Sequence, residues 1–229
     1  MKTIKIIGLV LLVLAGLAIM DVWPATVRYR LTLNVEENGK IATGSGVIEG
    51  SYYKEAQWLP LPSQAEWHTQ VTGEAVMVDL GERGILFALL KEGEDSRSSA
   101  DYIALKAFGF MEGPIGYPVG KRLSWIADLG RRTGAKANIP FKNLPMLVRF
   151  KDIDDPKTVE RVDPENLAAS FGDGVKLVSA TIEITFDPVT TGVEKKLGWL
   201  PSLKGYLDGQ FAGGGPQLPN ILDKSDLRR

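Results

Sequence analysis

The chain has no cysteine and a single histidine, and these two shortages remove more chemistry than any motif adds. Without thiols there is no disulfide framework, no thiolate nucleophile and no acylation site for a lipoprotein. With His68 alone, most zinc sites and the Ser-His-Asp arrangement lose their scaffold. No serine stands in a nucleophile elbow: Gly44-Ser45-Gly46 lacks the spacing and falls on an expected strand. Net charge is nearly absent as well, −1 over 229 residues, so composition makes no case for nucleic-acid binding. A phosphate loop is missing too, because Gly213-Gly214-Gly215 follows no strand and precedes no Gly-Lys-Ser/Thr. No catalytic, cofactor-binding or metal-binding residue is assigned from these patterns.

What is present begins at the N-terminus. Residues 6–20 form an unbroken apolar run behind Lys2 and Lys5. A helix from Thr3 to Trp23 would span about 30 Å, the thickness of a bilayer's hydrocarbon core. Trp23 then stands where an interfacial aromatic belongs, and Pro24 stops the helix. A cleaved secretory signal is the competing reading. Only Gly16-Leu17-Ala18 offers small residues at a cleavage spacing, and Ile19-Met20 continues the apolar run beyond it, so the uncleaved anchor is preferred. Positive charge before the run keeps that end in the cytoplasm and exports the rest. The expected address is therefore the bacterial inner membrane, single-pass, with the bulk of the chain periplasmic and residues 6–20 in lipid.

From Thr26 the pattern has period two, with Val27, Tyr29, Leu31, Leu33 and Val35 on one side of an antiparallel strand. Glu37-Asn38-Gly39-Lys40 predicts a hairpin, since Asn-Gly tolerates positive φ at both positions. The return strand runs from about Ile41 to Tyr53, where Gly44 and Gly46 mark a bulge or a close backbone approach. A second hairpin reads from 74–80 to 85–90, nearly continuous in apolar residues and so expected to be buried on both faces. Ala100, Ile103, Ala104, Ala107 and Phe108 carry a helical stripe, and Leu123, Ile126 and Ala127 repeat it more weakly. Residues 147–150 read as a short strand, and Asp163-Pro164 as a helix start ending at Gly172. Val178, Ala180, Ile182, Ile184 and Phe186 alternate as a last strand. The expected architecture is mainly β, in the α+β sense: an antiparallel sheet or sandwich-like domain with a few short helices, preceded by one N-terminal transmembrane helix. Its division is 1–25 for the anchor or signal, 26–204 for the exported domain, and 205–229 for a flexible Gly/Pro-rich tail.

Charge is unevenly spread. Residues 121–151 carry eight basic side chains and one acid, whereas residues 152–194 carry ten acids and three bases. Lys121, Arg122, Arg131 and Arg132 are candidate contacts for anionic headgroups beside the anchor. The alternative is that the two segments fold together and neutralise each other. Asp152, Asp154 and Asp155 resemble the opening of a calcium loop, but Pro156 and the missing glycine favour an Asx-turn and a helix cap. Tyr52, Tyr53, Trp58, Trp67 and His68 crowd together with Glu49, Glu55 and Glu66 nearby. Tyr53, Trp58, Trp67 and His68 are candidate ligand or partner contacts, and a glycan cleft is one use of such faces. Core plugs are the other.

Three segments, Tyr29-Arg30-Leu31-Thr32 with Gly44-Ser45-Gly46-Val47-Ile48-Glu49, residues 73–81, and Phe150–Pro156 with Val162-Asp163-Pro164, resemble an uncharacterised bacterial family with one N-terminal membrane segment and a β-rich exported domain. The resemblance implies an inner-membrane or periplasmic setting and carries no activity. The expectation is a non-enzymatic interaction or structural module of the cell envelope, with an envelope protein as partner. The alternative is an envelope glycan-binding protein or hydrolase using the Glu49–His68 region.

Overall fold

The computed structural model describes residues 24–54, 68–110, 119–211 and 215–229. The apolar N-terminal run, Glu55, Trp58, Glu66 and Trp67 lie outside them. Two antiparallel sheets and a few short helices make up the described chain. Among the described residues no helix is long and apolar enough to cross a membrane.

β1 (Ala25–Glu37) buries every second side chain, from Ala25 through Val35, as its alternation requires. It turns at Asn38 (φ 50°) and Gly39 (φ 82°) into β2 (Lys40–Tyr53), with Glu37 paired to Lys40. Two positive φ values in a two-residue loop match the right-handed twist of the strands. β3 (His68–Thr72) adds to β2, while β9 (Val175–Ile184) and then β6 (Lys136–Asn138) add on the other side of β1. The five strands therefore lie in the order β3-β2-β1-β9-β6.

The pairing of β9 departs from the expected alternation. Asn34 opposes Ser179 but Val35 opposes Leu177, so Val178 is an extra residue in a bulge. Val175 and Leu177 point inward before the bulge, and Ala180, Ile182 and Ile184 after it. Val178 is left 46% exposed, and Phe186, beyond the strand's end, is 66% exposed. One inserted residue reverses the parity that the sequence pattern assumed.

A second sheet, ordered β4-β5-β7-β8, packs against the inner face of the first. Its strands are β4 (Val76–Asp79), β5 (Ile85–Ala88), β7 (Leu147–Phe150) and β8 (Val159–Arg161). The expected two-sided burial holds for β5: Leu86 and Ala88 join Leu31, Leu33 and Ile48 in one core, and Phe87 joins Val148 and Phe150 in another. Gly44 is the close approach anticipated in β2, because a Cβ there would fall well inside contact with the Met77 carbonyl oxygen.

The second core draws Leu207, Leu222 and Leu227 from the segment read as a tail. Val193, Leu197, Leu200, Leu207, Leu222 and Leu227 cover the outer face of the small sheet and are all buried. Backbone bonds fasten the end of this wrap: Ala75 N donates to Leu227 O at 2.8 Å, and Leu90 N to Asp226 O at 2.8 Å. Gly73 and Arg229 exchange two more, each 2.9 Å. Its leucines are spaced by turns and short 3₁₀ segments, so no single period announces them.

At the other end of β1, helices α1 (Ile103–Ala107) and α2 (Val119–Gly130) lie over Ala25, Val27 and Tyr29. The end of α2 is pressed on the strand, since a Cβ on Gly130 would collide with the Thr26 carbonyl. The Tyr29 hydroxyl donates to Ala100 O at 2.6 Å, and the Tyr52 hydroxyl to Asp101 O. Burial pushes both phenol pKa values well above their ordinary value. These hydroxyls are satisfied struts, held protonated.

Candidate functional site

Of the Glu49–His68 region, the described Glu49, Tyr53 and His68 lie on the open face of the five-stranded sheet. Arg28 binds the Glu49 carboxylate through Nη2 at 2.6 Å and Nε at 3.0 Å. His68 stacks on Tyr53 with ring centroids 5.5 Å apart and planes 28° apart. Glu49 opposes Thr72 and Tyr53 opposes His68, so the two pairs sit four residues apart on one face. That separates Glu49 from His68 by about 13 Å along the strand, too far for one proton-transfer pair. The sheet brings Tyr53 and His68 together and keeps Glu49 away.

The rest of this face is polar and internally linked. Asn34 Nδ2 donates to Ser179 Oγ at 2.9 Å, and Thr43 Oγ1 donates to Asn34 Oδ1 at 2.8 Å. Arg30 pairs with Asp187, and Lys176 reaches Glu36 at 3.1 Å. Arg28, Arg30, Asn34 and Glu36, on the outward side of β1, are thus tied to residues on or beside the neighbouring strands, which fixes these side chains.

The basic and acidic segments neutralise each other wherever their strands pair. Arg149 and Lys151 share Glu160 across β7 and β8, and Lys136 reaches Glu183 at 3.4 Å across β6 and β9. Burial opposes the Glu160 carboxylate, but donation from Lys151 and Arg149 outweighs it and holds its pKa below the usual range. Arg131 and Arg132 follow the end of α2 instead, 70% and 54% exposed at their side chains. Asp128 is shared between them, 2.6 Å from Arg132 and 3.6 Å from Arg131, and its pKa is lowered chiefly by the Arg132 bond. The Arg132 guanidinium also lies over the Phe110 ring at 5.6 Å. Lys121 and Arg122 stand about 15 Å back along the helix, so the four candidate headgroup contacts divide into two pairs.

The aspartates at 152–155 do turn and cap work. Asp152 Oδ1 accepts from Asp154 N at 3.0 Å, and Asp155 Oδ1 accepts from Lys157 N at 2.9 Å at the head of a 3₁₀ turn. Two concavities are lined by described residues, the larger of them reaching Asp152. A cleft of about 250 Å³ is lined by Phe141, Leu144, Met146, Arg161 and Asp163, and a wide, shallow groove of about 810 Å³ by Asp79, Glu82, Lys151 and Lys196.

Sequence reasoning missed one grouping. The antiparallel registers place the start of β1, the ends of β2 and β9 and the starts of β3 and β6 at one end of the large sheet. Lys54, His68, Phe186, Arg131 and Arg132 gather there. Only the pairing of distant strands reveals it; Phe186-Asp187-Pro188 was the one local hint that the strand ends before its last aromatic. Comparison with protein families, curated proteins and solved structures finds no match to this chain.

Proposed function

We propose that the chain is a single-pass protein of the bacterial inner membrane, a member of the family it resembles, whose β-rich body faces the periplasm. There it works by contact with an envelope protein. The observation that carries this reading is the open face of the five-stranded sheet. Its polar groups are already paired with one another, from Arg28–Glu49 and Arg30–Asp187 to Thr43–Asn34–Ser179. A pre-ordered face of this kind costs little further side-chain entropy on association, which suits recognition of a complementary surface. Crosslinking in intact cells, followed by mass spectrometry, tests the proposal. Recovery of one envelope protein joined through residues on β1, β2 or β9 is the expected result; crosslinks confined to cytoplasmic proteins contradict it.

The second reading, a glycan-binding protein or hydrolase, is favoured by the stacked Tyr53–His68 pair at the edge of the same face. Peptidoglycan pull-down with Tyr53→Ala and His68→Ala separates the two. Retention that both substitutions abolish supports the glycan reading, and retention that neither changes removes it.

A further inference from the structure

We infer that the end of the five-stranded sheet from which the N-terminal segment departs is a bilayer-docking surface, in which Arg131, Arg132 and Lys54 meet anionic phospholipid headgroups and Phe186 enters the interfacial layer. The inference rests on reading residues 6–20 as the membrane segment.

Chain length makes the first argument. β1 begins at Ala25, and only Asp21-Val22-Trp23-Pro24 separates it from the apolar run. Fully extended, that connection reaches about 17 Å. The headgroup layer takes up roughly 6 Å of it. A rigid strand tied so closely to the lipid brings its own end of the sheet down to the surface. The tip of the β1–β2 hairpin, by contrast, is held about 40 Å away along the strand.

Charge makes the second argument. Arg131, Arg132 and Lys54 stand at this end, with Asp128, Asp187 and Asp101, the last bonded to Thr69 of β3, as acids. Asp187 is occupied by Arg30, and Asp128 serves two arginines at once. On the strands Arg149 and Lys151 share Glu160 and Lys136 meets Glu183, while Arg131 and Arg132 share one acid at this end of the sheet. An exposed aromatic next to such cations is the composition of an interfacial belt.

The absence of cysteine gives a clean background for site-specific labelling of the full chain. A bimane fluorophore is placed at Thr133→Cys, next to Arg132, or at Lys40→Cys, at the hairpin tip. The protein is reconstituted in vesicles of phosphatidylcholine with or without phosphatidylglycerol, with a nitroxide on the lipid headgroup as quencher. Docking predicts quenching several-fold stronger at position 133 than at position 40. It also predicts that quenching at 133 grows with phosphatidylglycerol and that Arg131→Glu with Arg132→Glu, checked for unchanged far-ultraviolet circular dichroism, reverses that gain. Vesicle flotation with equally weak quenching at both positions overturns docking and leaves the anchor standing. Failure to float with vesicles overturns the anchor itself. Quenching at 133 that ignores both phosphatidylglycerol and the charge reversal overturns the headgroup contact.

Discussion

At Gly44, a hydrogen in place of a methyl group decides whether two sheets can touch. Met77 presents its carbonyl oxygen where the Cβ of any other residue would stand. Gly44→Ala therefore forces the small sheet away from β2, and the expected cost is about 2 kcal/mol, the scale of core overpacking, read from urea denaturation. Glu160 carries a different kind of prediction. Its folded pKa is held below the unfolded value, so the stability it adds is present above about pH 4.5, the ordinary glutamate range, and is lost as pH falls through the lower folded value. Glu160→Gln should lower stability by about 1 kcal/mol at neutral pH and flatten the acid limb of a stability–pH profile. An unchanged acid limb would show that the Arg149–Glu160–Lys151 cluster contributes nothing. Asp226 runs the other way: burial outweighs its hydrogen bond from Asp223 and raises its pKa, so ionisation burdens the fold as pH rises through the folded value.

Among the elements, the C-terminal wrap is where stability and legibility part company. Leu222→Ala should cost about 3 kcal/mol, as for a fully buried leucine, although it sits among glycines and prolines. A melting temperature unchanged by that substitution would mean the wrap is dispensable. The β1–β2 hairpin was readable because all its information is local: alternation fixes the face and Asn38-Gly39 fixes the register. β5 was readable because a doubly buried strand has no polar face to hide. The bulge at Val178 was not, since it is set by the partner strand at Asn34 and Val35 rather than by any residue near it. The wrap was missed because its buried residues, from Val193 to Leu207 and at Leu222 and Leu227, owe their order to the face they cover and show no period of their own.

For the whole molecule, the candidate site was half legible. Arg131 and Arg132 stood out by charge, and Tyr53 and His68 by aromatic crowding, yet their gathering at one end of a sheet depends on the pairing of strands more than a hundred residues apart in sequence. Three layers follow from the same pairing: a large sheet with one open polar face, a small buried sheet, and a C-terminal covering. The account gives each exposed part a neighbour: lipid at the anchor end, an envelope protein on the open face. All of it requires the body to lie across the membrane from the cytoplasm. The direct measurement is labelling of Glu82→Cys, an exposed position on a chain with no other thiol, by a small maleimide that does not cross the inner membrane. Labelling in intact cells is the predicted result; labelling only after the inner membrane is opened would contradict the account.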